Sequence, residues 1–379
     1  MTDRAPVPIL FTIPNFDTAG SGAAMLSVIR RIDRSRFAPA ICVLRKGGAL
    51  DAEAQGLDVP YFVAPYCLPA RPRRTLLLRA RRAAREFDGR RFALWHSYHY
   101  LDDYTEPLVA WFAGAKAWVY TKKNMGWNRA WALRSLMSKQ VAVQNSDMLR
   151  ELAQTPFRRP PTRLVPPGVD TAVFHPDTPR RLDLRGKLGL PPDAIVVGSV
   201  AQLLPVKGHP TLIDAIARVP NVHLWLAGRD LDPAYVAGLK RQIAELGIEN
   251  RVTFLGPIRD VPALLSELDV FVLATWDRWR REGCPVALLE ALSAGRACVA
   301  TDIPGPRDVV KNGVNGFLVP PENSAEMARA IQAGVDSAEL RRRLGAEARR
   351  TAVADYSIEG EVEACQEIYD RALAPDGGR

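Results

Sequence analysis

Two carboxylates eight residues apart open the chemistry of this chain: Glu282 and Glu290, in the run E-G-C-P-V-A-L-L-E. The first follows a polar, turn-prone stretch (Asp277–Gly283), and the second falls inside an apolar run. Pro285 suits the first position of a helix, because its missing N–H is not needed there and its φ already matches. Gly295 supplies a stop. Between Pro285 and Ala294 the single charged residue is Glu290. A carboxylate on so apolar a helix is costly to bury without a donor. A ligand hydroxyl would serve, and so would a neighbouring Arg or Lys.

The elements around this run fix its setting. Asp269–Ala274 (D-V-F-V-L-A) and Cys298–Thr301 (C-V-A-T) read as buried strands, giving strand, loop, helix, strand. Such βαβ units build parallel sheets whose ligands bind at the carboxyl ends of the strands. Glu282 falls at that end, beside a helix N-terminus suited to an anion.

In this setting E-x7-E resembles the retaining nucleotide-sugar glycosyltransferases of family 4. The resemblance implies the GT-B fold, an α/β architecture of two facing Rossmann-like domains with a cleft between them. It assigns Glu282 to the donor sugar and Glu290 to the ribose hydroxyls of the nucleotide, with Gly283, Cys284, Pro285 and Val286 lining the donor at the helix start. The run R-L-V-P-P-G-V-D-T-A-V-F (Arg163–Phe174) resembles the segment that ends the family's first domain. Asp302–Asp308 and Asn315–Pro320 extend the likeness, with Asp308 where a glutamate is more usual.

A second cluster follows the buried strand Ala194–Val200. In A-Q-L-L-P-V-K-G-H-P, Lys207 and Gly208 stand where the family's lysine binds the donor diphosphate, ahead of a helix at Thr211–Arg218. A lysine and a helix dipole together make a sound diphosphate clamp. Gln202 departs from the family's usual arginine, so either a nearby residue such as Arg229 or Arg259 compensates or the donor is held more weakly. Ile258, just after F-L-G, is the candidate reader of the base. By the same resemblance Lys207 stabilises the departing diphosphate, Glu282 acts on the sugar, and Lys123 occupies a place where relatives carry a histidine. A lysine is a poor general base unless its pKa is strongly lowered.

In the first half, Ile9–Ile13 is a buried strand that runs into a loop holding Gly20 and Gly22, before a helix at Ala23–Ile32. Glycines here let backbone N–H groups approach a phosphate; an ordinary tight turn is the other reading. The dinucleotide fingerprint G-x-G-x-x-G fails, since Met25 takes the last glycine position, which argues against a dehydrogenase. Phe92–Trp95 delivers His96 and His99, and Ala117–Thr121 delivers Lys123 and Asn124. His96, His99 and Asn124 are candidates for the acceptor or sugar side, although a lone histidine at a strand end is more often structural.

Composition bounds the rest. With 379 residues the chain is long enough for two domains. Five scattered cysteines without metal-ligand spacing, and no basic-then-apolar leader in Met1–Pro8, give the expectation of a reduced cytoplasmic protein. No cluster of Asp or His points to a metal, and no cofactor is expected beyond a UDP- or GDP-linked sugar as donor substrate. The net charge of +9 leaves anionic lipid and acidic metabolites as partners; nucleic acid is not expected, for want of zinc-finger or RNP motifs. Arg71–Arg91 holds nine arginines against Glu86 and Asp88. A helix over Thr75–Phe87 would place Leu76, Leu77, Leu78, Ala80, Ala83, Ala84 and Phe87 on one side. Such a helix can lie on an anionic membrane surface or form a solvated face over the core. The acceptor is then a saccharide or a lipid-linked molecule.

The expected domains are residues 1–178 for the acceptor, 179–355 for the donor, and a closing helix in 356–379 that returns to the first domain. The expected activity is retaining sugar transfer in cell-surface polysaccharide or glycolipid synthesis. The rivals are a non-catalytic nucleotide-sugar binder, motivated by Gln202 and Lys123, and an epimerase or phosphorylase of the same fold.

Overall fold

The computed structural model describes residues 5–17, 19–100, 102–153, 161–278 and 283–375. Glu282 and Trp279–Arg281 therefore lie outside the described residues, as does Pro160. The chain divides into two compact units, Met1–Pro167 with Ile358–Arg379, and Gly168–Ser357.

The first unit alternates strands and helices in the order β1 (Val7–Ile13), α1 (Ala19–Arg31), β2 (Phe37–Val43), α2 (Asp51–Gln55), β3 (Tyr61–Val63), α3 (Leu76–Ala84), β4 (Leu94–Ser97) and α4 (Glu106–Phe112). It continues with β5 (Ala117–Lys122), α5 (Arg129–Leu136), β6 (Gln140–Val143), α6 (Ser146–Ala153) and β7 (Thr162–Leu164). The strands form one parallel sheet ordered β3-β2-β1-β4-β5-β6-β7. Strand side chains alternate between its faces, as period 2 requires. Ile9, Phe11 and Ile13 enter one core, and Leu10 enters the other with Trp95 and Tyr120.

The second unit holds α7 (Leu184–Lys187), β8 (Ile195–Val200), α8 (His209–Ala217), β9 (Val222–Ala227), α9 (Pro233–Glu245), β10 (Val252–Gly256), α10 (Val261–Ser266) and β11 (Val270–Leu273). It closes with α11 (Val286–Ser293), β12 (Ala297–Thr301), α12 (Pro306–Val309), β13 (Phe317–Val319), α13 (Ser324–Asp336) and α14 (Ala338–Asp355). Its parallel sheet is ordered β10-β9-β8-β11-β12-β13. Val197, Leu224 and Leu226 face one core, and Val196, Trp225 and Ala227 the other.

The last helix, α15 (Ile358–Leu373), belongs to the first unit. Val362, Cys365, Ile368, Tyr369 and Ala372 pack into the core that also takes Phe11 and Met25. The division falls at Pro167/Gly168, ahead of the expected 178/179. Residues 168–178 go with the second unit because Val169 and Phe174 pack in its core and Val169 N donates to Tyr356 O at 2.8 Å.

Several local expectations change. α1 starts at Ala19, so Gly20 and Gly22 lie in its first turn and not in a phosphate-approach loop. Gly22 has a packing reason: a Cβ there would meet the Phe16 ring at 2.9 Å. Arg163 and Leu164, at the start of the run that resembles the end of the family's first domain, lie in the short strand β7, and Pro285 is the residue before α11 instead of its first. On α3, Leu76, Ala80, Ala83 and Ala84 are buried, whereas Leu77 and Leu78 face solvent at 58% and 71% exposure.

Candidate functional site

In each sheet the strand order reverses once, between β1 and β4 in the first unit and between β8 and β11 in the second. Loops leave such a point in opposite directions and open a crevice at the carboxyl ends of the strands. In the second unit that crevice is bordered, among the described residues, by 201–208, after β8, and by 274–278 and 283–285, after β11.

These two loops are tied together closely. Gly208 takes φ +67°, and a Cβ on it would sit 1.9 Å from Ala274 O. Only glycine fits both the backbone angle and the contact. Trp276 N donates to Val206 O at 2.8 Å, and Trp276 Nε1 donates to Thr211 Oγ1 at 3.0 Å. The first tryptophan of W-D-R-W-R-R is thus a brace that holds the Lys207–Gly208 turn against β11. Arg278 Nε donates to Glu322 at 2.8 Å.

On the other side of β8, a Cβ on Gly228 would lie 1.7 Å from Ala201 O. Leu203 N donates to Arg229 O at 3.0 Å, and Gly228 N donates to Gly256 O at 2.9 Å. The ends of β8, β9 and β10 are therefore packed backbone to backbone. This brings Gln202 beside Arg229. Arg259 is on an exposed part of the loop after β10, and Ile258 is half-buried against the core. Gly208 precedes α8, whose His209 is buried with its Nδ1 3.2 Å from Tyr235 Oη. Burial, and then Lys207, lower its pKa to about 4.

Glu290 is the chemically distinctive side chain here. Its neighbours on α11, Leu288, Leu289, Ala291 and Leu292, are fully buried. The carboxylate makes no hydrogen bond or ion pair with any described residue, and burial alone pushes its pKa up to about 8. Gly283, Cys284 and Pro285 are buried just ahead of the helix, and Val286 is partly buried.

The first unit treats its chemistry-bearing residues differently. His96 is buried with both ring nitrogens satisfied, Nδ1 2.7 Å from Tyr369 Oη and Nε2 2.8 Å from Thr121 Oγ1. Burial, and then Lys123, hold its pKa down at about 3. It is a core histidine that ties α15 to the sheet, not an acceptor-side group. His99 is buried too, and neither ring nitrogen has a hydrogen-bond partner among the described residues. Burial, and then Arg134, keep it neutral with a pKa of about 3. Asn124 closes a turn, with Nδ2 donating to Tyr100 O at 3.1 Å and Oδ1 accepting from Gly126 N at 3.0 Å. The Lys123 ammonium lies 4.8 Å from the centre of the Tyr98 ring. The lysine with a strongly lowered pKa is its neighbour Lys122, brought to about 7 by burial. Lys122 donates to Gly126 O and sits 4.0 Å over Trp131, inside the core.

A two-unit α/β fold with a parallel sheet in each and a braced crevice at the second sheet's switch point defines the class: the GT-B fold. Residues 180–351, most of the second unit, match the family described as Glycosyl transferases group 1. The lipopolysaccharide core biosynthesis glycosyltransferase LpsE of Rhizobium meliloti is 35% identical over 180 residues, covering 48% of this chain and 51% of LpsE. A D-inositol 3-phosphate glycosyltransferase of Mycobacterium marinum is 30% identical over 241 residues, covering 62% of this chain and 50% of that protein. The chain spans about half the length of the curated relatives it matches. Among solved structures, Anabaena HepE in complex with UDP and glucose superposes with a TM-score of 0.80 at 22% identity, covering 96% of this chain and 99% of HepE. A glycosyltransferase of Rickettsia africae reaches 0.84 at 18% identity, covering 98% and 100%. These two likenesses concern the fold.

Proposed function

We propose that the protein transfers a sugar from a nucleoside-diphosphate sugar to a saccharide or lipid-linked acceptor, with retention at the anomeric carbon. The observation that carries this reading is Glu290: an unpaired carboxylate on an apolar helix, held at about pKa 8, at the switch point of a group 1 domain. Two ribose hydroxyls would donate to it and repay its desolvation, as charge-assisted hydrogen bonds do. Lys207 and the start of α11 would hold the diphosphate electrostatically, with Ile258 beside the base. Glu282 would contact the donor sugar, and Lys123 would contact the sugar or an acidic group of the acceptor.

In the reaction, the bond from the anomeric carbon to the diphosphate oxygen breaks through an oxocarbenium-like transition state. The acceptor hydroxyl oxygen bonds to the same face, and its proton passes to the departing diphosphate. No base from the protein is needed on this route, which suits a site whose histidines are buried and neutral. That HepE has been crystallised with UDP and with UDP-glucose favours a uridine donor here. The name of LpsE favours an acceptor from surface-glycan assembly.

An anionic membrane surface would suit the outer side of α3, where Leu77 and Leu78 stand exposed among arginines and Trp111 on the adjoining α4 is 67% exposed. Among the described residues no helix is long and apolar enough to cross a membrane. The contact would therefore be peripheral.

A thermal-shift panel of UDP, GDP, ADP, CDP and TDP on wild type and Glu290→Ala tests the reading. A nucleotide at 100 times its Kd adds roughly 2.7 kcal/mol to the folded state. One nucleotide should stabilise wild type by about this much and the variant by no more than about half as much. Equal stabilisation of both, or none by any nucleotide, would overturn the assignment.

A further inference from the structure

We propose that the first unit carries a Zn2+ site formed by Cys67, His99 and Asp103, independent of the donor site. The three residues come from two loops at the carboxyl ends of the strands, one after β3 and one between β4 and α4. One potential ligand atom from each lies within 4.8 Å of the other two. Bound ligands around a tetrahedral Zn2+, at about 2.0–2.3 Å from the metal, are separated by about 3.3–3.7 Å, roughly 1 Å or more inside this limit. A contraction of the two loops would complete the geometry, with a water as the fourth ligand.

Four observations on the residues support the site. His99 is 2% exposed and both its ring nitrogens lack a hydrogen-bond partner, so a buried imidazole is left with an unused lone pair. Such an orphan is uncommon and calls for a missing partner. Cys67 is a free thiol, not engaged in a disulfide. Asp103 is positioned as a ligating carboxylate usually is, by hydrogen bonds from its surroundings. It accepts from Thr105 N at 3.1 Å, from Glu106 N at 2.9 Å and from Thr105 Oγ1 at 2.7 Å, with Arg134 Nη1 3.9 Å away. A carboxylate has about four lone-pair positions, so these contacts leave room for a metal. Finally, the two loops are pinned to each other, since Leu68 N donates to Thr105 Oγ1 at 2.7 Å.

The donor set selects the ion. Sulfur, imidazole nitrogen and carboxylate oxygen together suit Zn2+, whereas Mg2+ and Ca2+ take all-oxygen shells. The nearby guanidinium of Arg134 does not oppose a cation strongly, because it is paired with Glu106 at 3.3 Å. A metal here would clamp the loop after β3 to the start of α4. The Cys67–His99 separation has no standard ligand spacing, which is why the sequence gives no hint of the cluster.

The test uses the full chain, stripped with EDTA and kept reduced, and titrated with Co2+ as a spectroscopic substitute. One equivalent should produce a thiolate-to-cobalt charge-transfer band and tetrahedral ligand-field bands, and Zn2+ should bleach them one for one. Cys67→Ser, whose melting in EDTA should match wild type, should lose the charge-transfer band entirely. Asp103→Asn should weaken Zn2+ affinity by at least about tenfold. Zn2+ should raise the melting temperature of wild type and leave Cys67→Ser unmoved. Absence of a saturating one-equivalent signal in wild type would overturn the site and leave a buried water as the partner of His99. Persistence of the thiolate band in Cys67→Ser would overturn it as well, by moving the metal to another cysteine. Neither result depends on nucleotide binding.

Discussion

Glu106 and Glu290 lie on corresponding helices of the two units, Glu106 as the first residue of α4 and Glu290 as the fifth of α11. Each lies on the helix that follows the strand across the switch point, α4 after β4 and α11 after β11. Each has its pKa raised by burial. Glu106 is surrounded by donors from its own unit: Thr12 Oγ1, Ser97 Oγ at 2.6 Å and Arg134 Nη2 at 3.3 Å. Thr12 and Ser97 face each other in the register of β1 and β4, so the carboxylate seals the crevice. Glu290 has no such donors among the described residues. One topology therefore carries a paired carboxylate in the first unit and, among the described residues, an unpaired one in the second. A buried carboxylate that is already paired is architecture; an unpaired one is a binding group in waiting.

The largest effect that would test this contrast is on stability. Glu106→Ala strands Arg134 as a buried charge, and breaking a buried pair in this way costs about 3–5 kcal/mol. Urea denaturation should show that loss, and a loss below 1 kcal/mol would mean that Arg134 finds other partners. Glu290→Ala should do the reverse. Nucleotide affinity measured by calorimetry should fall about 10- to 100-fold, the worth of roughly 1.5–3 kcal/mol for hydrogen bonds to a charged group. The free protein should melt no lower than wild type. A variant that melts lower and binds as before would make Glu290 the structural member of the pair.

Protonation sharpens the comparison further. A carboxyl whose folded pKa is raised to about 8 contributes stability that is present below its unfolded pKa of about 4.5 and lost as pH rises through 8. Between about pH 5 and pH 9 the free wild type should therefore lose stability relative to Glu290→Gln. Hydroxyl donors favour the ionised form, so nucleotide binding near neutral pH should release a proton that Glu290→Gln does not release. Calorimetry in two buffers of different ionisation enthalpy reads that difference directly. Equal proton release by both proteins would separate Glu290 from the ligand. The smallest effect is at Gln202. Restoring a charge with Gln202→Arg should tighten nucleotide binding by roughly 1 kcal/mol, or about fivefold, unless Arg229 already supplies the charge, in which case Arg229→Ala should weaken binding.

What could be read from the sequence follows the reach of each interaction. Continuous apolar runs such as Ile9–Ile13 and Ala194–Val200 announced buried parallel strands, and the βαβ order around Glu290 announced the switch point. β7 and β13 went unseen because each has three residues and a partly exposed pattern. Gly20 and Gly22 suggested a loop because glycine after a strand usually means one; the packing of Gly22 on Phe16 is a tertiary fact. Hydrophobicity alone puts Leu77 and Leu78 on one apolar side with Leu76, whereas the buried residues of α3 are those at positions 76, 80, 83 and 84. A structural role for His96 is one of the two readings of the sequence, but its partner Tyr369, 273 residues away, is not legible there. Cys67 and His99 meet only through folding, for the same reason.

The placement of α15 has a consequence for how the protein is made. Tyr369 closes the core around Phe11, Phe37 and His96, so the unit whose strands emerge first lacks its final helix until nearly the whole chain has been synthesised. The second unit is continuous from Gly168 to Ser357 and can close as soon as it leaves the ribosome. At about 5–20 residues per second, the first sheet waits roughly ten seconds or more with an apolar face uncovered. The unit whose strands are translated first is thus the last to be completed.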